Sequence, residues 1–180
     1  MLARFGRESL GAQRFYVAAL GGWDGDDILR DPDNNPNRAG ALAAVDGKAG
    51  TVADLLKDVA SGEVNAVLAL GWATAEDAAK LAPLRSLKTM VTLASNVGPL
   101  TEVASILVPV ASFAEMDGTF INVKGMAQRF FRVIQPPPGI RPAWETLVEM
   151  ARQLKKPLTV SQIADVRNTI PANAPTEVTP

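Results

Sequence analysis

Cysteine and histidine are both absent from the 180 residues of this sequence. Without thiolates the chain cannot form a disulfide, provide a cysteine nucleophile or hold an iron–sulfur cluster through cysteine ligands. Zinc sites that depend on cysteine or histidine are excluded as well. No side chain that is present has an unperturbed pKa near neutrality, so acid–base catalysis would require a strongly shifted carboxylate or lysine. These absences exclude thiol chemistry, cysteine-ligated iron–sulfur clusters and zinc sites built on cysteine or histidine from the chain itself.

The sequence also lacks a strong net charge and a long apolar stretch. Its 18 basic and 19 acidic residues give a formal net charge of -1 and are scattered, so no basic surface for nucleic acid or anionic lipid is predicted. The best apolar run, 106–114, is interrupted by Pro109 and Ser112 and falls short of the roughly 18 residues of a membrane span. The first residues do not resemble a signal peptide. We therefore expect a soluble chain with no nucleic-acid partner and no direct membrane insertion.

Short apolar runs of strand length recur along the first two thirds of the chain. They occupy 14–20, 66–70, 89–94 and 106–110. The run at 66–70 is apolar at every position, which is typical of a central strand in a parallel sheet that is covered on both faces. We therefore predict four strands, with 66–70 in the middle of the sheet.

Helix-start signals lie between these runs. Residues 51–54 and 74–77 have the form of capping boxes, and the second would open a helix that ends near Pro83. Gly98 and Pro99 place a proline where a short helix would begin. Strands that alternate with helices at this spacing predict an α/β fold with a doubly wound, mainly parallel sheet.

The pattern changes after residue 117. Two β-type runs, 118–123 and 127–134, are joined across Lys124 and Gly125, which predicts a C-terminal β-hairpin. Pro142 then opens an amphipathic helix. Its predicted apolar face consists of Trp144, Leu147, Val148, Ala151 and Leu154.

The chain after this helix has a different character. A short helix is predicted within 161–168, and a proline-rich tail without periodicity follows from residue 170. We therefore expect one α/β domain over 1–156, followed by a short helix and tail over 157–180.

Glycine and aspartate residues in the long loop after the first run suggest two possible sites. The glycine loop at 21–25 follows a predicted strand, but it lacks the GxGxxG pattern of dinucleotide sites and no Walker A lysine is present, so a plain turn is expected. The aspartates lack the central glycine and terminal glutamate of an EF-hand, which favours a solvated loop whose aspartates cap turns. These aspartates are Asp24, Asp26, Asp27, Asp31 and Asp33.

Two further groups follow the last strand of the predicted sheet. Glu115 and Asp117 would lie at the carboxyl edge, where open α/β sheets bind ligands, but no nearby residue is marked as a nucleophile. At the hairpin, Asn122, Gly125 and Gln128 offer amide groups and a close backbone approach to a polar ligand. The same residues would also make an ordinary turn, and their chemistry alone leaves both interpretations open.

The stretch 105–129, which contains SFAEMDGTFINVKGMAQR, resembles a signature of the molybdopterin oxidoreductase superfamily: FAEKDGTF followed by N-x-E-G-R-x-Q. Segments 2–11, 27–40 and 55–71 resemble the carboxy-terminal part of the large iron–sulfur subunits of NADH-quinone oxidoreductases, the respiratory complex I enzymes. The resemblance covers residues 1–156. It implies a fold like the corresponding domain of formate dehydrogenase and DMSO reductase.

The resemblance also has implications for function. Asn122, Gly125 and Gln128 match the family's cofactor-contacting motif, whereas Lys124 and Met126 replace its acidic residue and its arginine. It therefore implies a vestigial site and a structural role without a bound cofactor. It also implies other subunits of a respiratory NADH dehydrogenase as partners, which would hold the chain in the cytoplasm, peripheral to the inner membrane. One alternative is a fragment of an active, formate dehydrogenase-like enzyme with molybdopterin guanine dinucleotide. A stand-alone nucleotide-binding module is the other.

Overall fold

A three-stranded parallel sheet lies at the centre of the computed structural model, which describes residues 1–20, 24–26 and 28–168. Its strands are β1 (Ala66–Leu70), β2 (Thr89–Ala94) and β3 (Ile106–Pro109), in the order β1-β2-β3. Leu68 lies opposite Val91, and Leu93 lies opposite Val108. The predicted α/β class and its parallel sheet are confirmed.

The position of β1 differs from the prediction. Among the described residues β1 pairs with β2 alone, and β2, whose Thr92 and Leu93 are both 0% exposed, is the central strand. Val67 of β1 packs on one face of the sheet and Leu68 on the other. An edge strand between two layers is thus apolar on both sides, so its sequence pattern could not distinguish it from a central strand.

The predicted strand at 14–20 is not formed in the described chain. Tyr16 makes a single parallel bridge with Gly50, and the Val17 N–H donates to the Gly50 carbonyl at 2.9 Å. Arg14 and Tyr16 instead bond to the carboxylate of Asp58. These polar contacts hold the segment against a helix and not alongside the sheet.

That helix, α3 (Val52–Ala60), covers one face of the sheet together with a 3-10 turn at Ala82–Ser86. Its predicted capping box is confirmed: the Thr51 hydroxyl accepts from the Asp54 N–H, and the Asp54 carboxylate accepts from the Thr51 N–H at 2.9 Å. The buried residues of this layer, here called the α3 cluster, are Val52, Leu55, Val59, Leu81, Leu84, Leu87, Met90 and Val103.

The second predicted capping box does not open an α-helix. The Thr74 hydroxyl bonds to the Glu76 carboxylate, and Asp77 Oδ1 accepts from the Lys80 N–H at 2.9 Å. Pro83 lacks a donor N–H and disfavours a helical conformation in the residue before it. Too few residues therefore remain for a stable α-helix, and the chain forms turns followed by the 3-10 segment.

The opposite face is covered by helices from both ends of the described chain. They are α1 (Leu2–Phe5), which continues as a π-helical turn at Gly6–Leu10, then α5 (Ala143–Gln153) and α6 (Ile163–Arg167). The buried residues of this layer, here called the α5 cluster, are Phe5, Leu93, Val110, Leu147, Ala151, Leu158 and Val160. Leu158 and Val160 lie beyond residue 156 and nevertheless complete this core.

Leu154 does not belong to the buried face of α5. It is the C-cap residue and is 49% exposed, whereas Leu147 on the same helix is 0% exposed. Residue 154 has the correct helical spacing, but the helix ends before it. The apolar face predicted from spacing was therefore one residue too long.

Three smaller elements complete the described structure. β4 (Gly118–Ile121) and β5 (Ala127–Phe130) pair antiparallel, with Phe120 opposite Gln128. α2 (Arg38–Ala43) packs on β4, α4 (Pro99–Glu102) begins at the predicted proline, and a 3-10 turn spans Phe113–Glu115. Within the described ranges, no helix is both long and apolar enough to cross a bilayer. Residues 21–23 of the glycine loop and the predicted tail from residue 170 lie outside the described residues.

Candidate functional site

Asn122 closes the turn between β4 and β5 with its side chain. Its Oδ1 accepts hydrogen bonds from the backbone N–H of Lys124 at 3.0 Å and of Met126 at 2.9 Å. Its backbone N–H donates to the Met126 carbonyl at 3.0 Å, and its carbonyl accepts from the Gly125 N–H at 2.9 Å. An asparagine that bonds to backbone groups a few residues ahead is a common way to hold a tight turn.

The other two predicted site residues lie at the same end of the hairpin. Gly125 has φ +80°, a left-handed conformation that glycine adopts without a steric penalty. Gln128 is exposed on β5 opposite Phe120, two residues before Asn122. The structure therefore brings Asn122, Gly125 and Gln128 together, with the first two forming the turn itself.

The groups around this turn do not fit a pterin dinucleotide. The acceptor oxygen of Asn122 already receives two backbone donors, and the thioether of Met126 provides no donor. Arg129 is adjacent to Gln128 on β5, so the two side chains point to opposite faces of the strand. Lys124 contributes a single exposed ammonium group. A ligand with phosphates and pterin oxygens is better matched by a planar guanidinium, which forms paired hydrogen bonds.

A residue not identified from the sequence, Asn37, connects the hairpin to the long loop. Its Oδ1 accepts from the backbone N–H of Ile121 at 2.9 Å. Asn37 has φ 61°, a left-handed conformation in which asparagine is several-fold enriched, and it precedes α2. In the sequence, Asn37 is marked only as an asparagine ahead of a short helix, which is a weak signal.

The aspartates of the loop hold turns. Asp26 Oδ1 accepts from three consecutive backbone N–H groups, those of Ile28 at 2.8 Å, Leu29 at 2.6 Å and Arg30 at 2.9 Å. These hydrogen bonds hold the pKa of Asp26 below its ordinary value, and the one from the Arg30 N–H has the largest effect. Asp27 lies outside the described residues. Across the described parts of the chain, no group of three or more acidic side chains is arranged as a metal site.

Asp33 has a similar role nearer to α2. Its Oδ1 accepts from the side-chain amide of Asn35 at 2.7 Å, and its Oδ2 forms an ion pair with Arg38 Nη1 at 3.1 Å. The Asn35 side chain is the main cause of a lowered Asp33 pKa. The predicted turn-capping role of the loop aspartates therefore agrees with the hydrogen bonds of Asp26 and Asp33.

Glu115 and Asp117 border an open cleft of about 400 Å³, together with Arg132, Arg141 and Trp144. Glu115 Oε2 accepts from the Ser112 N–H at 2.8 Å, and Asp117 Oδ1 accepts from the Arg132 N–H at 2.8 Å. Both carboxylates thus hold local backbone. No hydroxyl-bearing or lysine side chain is among the described residues that line the cleft. The lining therefore lacks a nucleophile for these carboxylates to activate.

Comparison with known proteins assigns the sequence to a family. A sequence model of the molybdopterin oxidoreductase family matches residues 12–153. The chain is 31% identical over 100 residues to the G subunit of the NADH-quinone oxidoreductase of Shewanella oneidensis, a match that covers 52% of this chain and 11% of the relative. It is 37% identical over 84 residues to the corresponding subunit of Pseudomonas fluorescens, covering 45% of this chain and 9% of the relative.

A third relative is matched over a longer stretch of this chain. The same subunit of the Pseudomonas putida NADH-quinone oxidoreductase is 30% identical over 129 residues, covering 67% of this chain and 14% of the relative. The matched regions thus span about a tenth of the length of these relatives. The similarities confirm the resemblance expected from the sequence, and the family match covers well over half of the residues. The chain belongs to the molybdopterin oxidoreductase family.

Proposed function

We propose that this chain is a structural, non-catalytic segment of the large iron–sulfur subunit of an NADH-quinone oxidoreductase. The proposal is supported by similarity to one subunit of three such enzymes. It is also supported by the absence of cysteine and histidine from the sequence, which leaves no ligands for an iron–sulfur cluster.

The observation that carries the proposal is the turn around Asn122. At the position where the family motif would contact a cofactor, the Asn122 side chain accepts from the Lys124 and Met126 N–H groups. Met126 and Lys124 replace the arginine and the acidic residue of the motif. The conformation of the hairpin is thus retained by local hydrogen bonds that require no ligand. We propose that Asn122, Gly125 and Gln128 are a vestigial site and that the segment binds no cofactor.

The fold supports a proposal about the domain organisation of the segment and about its partners. We propose a doubly wound domain of the formate dehydrogenase and DMSO reductase kind over 1–156, with the hairpin and the amphipathic helix α5 as its C-terminal part. Residues 157–180 would follow as a short helix and tail, of which Leu158 and Val160 pack into the α5 cluster. The sheet, with one helical layer on each face, supports this proposal. Its partners would be other subunits of the oxidoreductase, which would keep the segment in the cytoplasm at the inner membrane.

Calorimetric titration of the purified chain with a guanine nucleotide tests the vestigial site. We expect no binding up to millimolar nucleotide, because the turn presents no guanidinium on the Gln128 side of β5. Micromolar binding that disappears in Gln128→Ala or in Arg129→Ala would instead support a cofactor-binding oxidoreductase fragment. Micromolar binding that survives both substitutions would indicate a nucleotide-binding module with its site elsewhere.

A further inference from the structure

The outer edge of β3 presents backbone groups with no strand beside them. The Ser105 N–H donates to the Met90 carbonyl at 3.0 Å, and Leu107 lies opposite Thr92 in the parallel ladder. The backbone N–H and C=O groups of successive residues in a strand point alternately to its two sides. Those of Ile106 and Val108 therefore point away from β2. Within the described chain, no backbone group pairs with them on that side.

The side chains of this edge are apolar and unusually accessible. Ile106 is 50% exposed and Leu107 is 49% exposed, and β3 contains no charged residue. Natural edge strands are commonly protected by lysines, inward-pointing charges or a covering element, because an apolar edge invites pairing with another chain. Pro109 ends the strand, but it leaves the outward donors of Ile106 and Val108 in place. This edge therefore lacks the usual protection against pairing with another strand.

We infer that the outer edge of β3 pairs with a β-strand supplied by the remainder of the large subunit. This inference rests on the proposed function. The chain matches only 9% to 14% of the length of its relatives, so most of such a polypeptide is available to supply the strand.

The two faces of the sheet define the chemistry of the incoming strand. Val108 packs with the α5 cluster on one face, and Leu107, opposite the buried Thr92, points to the other. A strand added at this edge continues both layers, so its residues must be apolar on both faces. It must also offer carbonyl and N–H groups to Ile106 and Val108. An uncharged, Val- or Ile-rich strand of at least four residues fits these requirements.

Hydrogen exchange measures the pairing directly. The amides of 106–108 are compared in the isolated 180-residue chain and in the purified NADH-quinone oxidoreductase that contains this sequence. We expect exchange to be at least about tenfold slower in the assembly, because the added strand accepts from the Ile106 and Val108 N–H groups. Equal exchange in the two states would overturn the inference.

Lysine substitutions at the edge provide a second measurement. We expect Ile106→Lys and Leu107→Lys to leave the isolated chain folded with nearly unchanged unfolding midpoints, because both side chains are half exposed. In the oxidoreductase they should lower the yield of assembled enzyme by about tenfold or more, because a charge is placed in a buried strand pair. Val97→Lys is the matched control, since Val97 is 77% exposed and lies outside the sheet. Equal yields of assembled enzyme for all three variants would overturn the inference.

The remaining outcomes separate this inference from the proposed function. If the wild-type chain is not part of an NADH-quinone oxidoreductase at all, the proposed function fails. If the wild-type sequence is part of an assembled oxidoreductase, but the amides of 106–108 exchange equally in both states and the lysine variants assemble normally, only the strand pairing fails. If the isolated chain is a dimer in light scattering and Leu107→Lys makes it monomeric, a second copy occupies the edge, and the assigned occupant is wrong.

Discussion

The side-chain oxygen of Asn37 accepts a hydrogen bond from the backbone N–H of Ile121 at 2.9 Å, across 84 positions of sequence. It satisfies a donor on the outer side of β4 that the hairpin itself leaves unpaired. The buried side chain of Ile121 is held beside α2 by the same contact. The long loop is thereby fixed to the hairpin.

Substitution of Asn37 separates this hydrogen bond from the backbone conformation. Asn37→Gly keeps the left-handed conformation and removes the acceptor, so we expect a loss of about 1 kcal/mol in the free energy of unfolding. Asn37→Ala loses the same bond and also places a β-carbon in the left-handed region, which adds about 1 kcal/mol. Urea unfolding of both variants measures the difference. If the two are equally stable, backbone strain does not contribute at this position.

Asn122 and Gln128 should behave differently although both belong to the predicted site. Asn122→Ala leaves the N–H groups of Lys124 and Met126 without their acceptor, and we expect it to lower stability by about 1–2 kcal/mol. Gln128→Ala changes an exposed strand residue and should stay within about 0.5 kcal/mol. Thermal unfolding compares the two. Equal losses would contradict the structural role of Asn122 in the turn.

Helix α5 offers a matched pair of leucines. Leu147→Ala removes a fully buried side chain from the α5 cluster and should destabilise the protein by about 2–5 kcal/mol. Leu154→Ala affects a residue that is 49% exposed and should change the free energy of unfolding by at most about 0.5 kcal/mol. Chemical denaturation checks both. A large loss in Leu154→Ala would mean that this residue packs against the protein in solution.

The capping box of α3 should make stability depend on acid pH. The hydrogen bond from the Thr51 N–H is the main cause that lowers the pKa of Asp54, followed by that from the Thr51 hydroxyl. A lowered pKa means that the charged carboxylate stabilises the folded state above its ordinary pKa of about 3.9, and that this contribution is lost as the pH falls through the folded value.

Comparison with Asp54→Asn isolates that contribution from the other carboxylates. We expect the wild type to be more stable than Asp54→Asn at neutral pH, and the difference to shrink as the pH falls below about 4. Urea midpoints at several pH values measure it. A difference that remains constant down to about pH 2 would show that the charge of Asp54 does not contribute.

The sequence predicted the strands of the sheet well because their apolar runs are short and bounded by turn residues. β2 begins and ends where the run at 89–94 does. The capping box at Thr51 was equally informative, since its reciprocal hydrogen bonds are local. The segment 14–20 was misjudged because its apolar run is held by long-range polar contacts of Arg14 and Tyr16 with Asp58. Such contacts leave no periodic signal.

The candidate site was only partly accessible from the sequence. Spacing and resemblance identified Asn122, Gly125 and Gln128, but the direction of the Asn122 carboxamide depends on the geometry of the turn. Asn37 was missed because its partner, Ile121, lies far away in the chain. Contacts between distant segments have no counterpart in a local motif, so they could be found only in three dimensions.

The members of the α3 cluster lie closer together in the sequence than those of the α5 cluster, and this difference favours an order of folding. The α3 cluster draws on residues between Val52 and Val103, whereas the α5 cluster joins Phe5 to Leu158 and Val160. Because closing a longer loop costs more chain entropy, contacts on the α3 side can form first. During synthesis on a ribosome, Phe5 must therefore wait until Leu158 and Val160 have emerged. Until then its face of the sheet is open to chaperones.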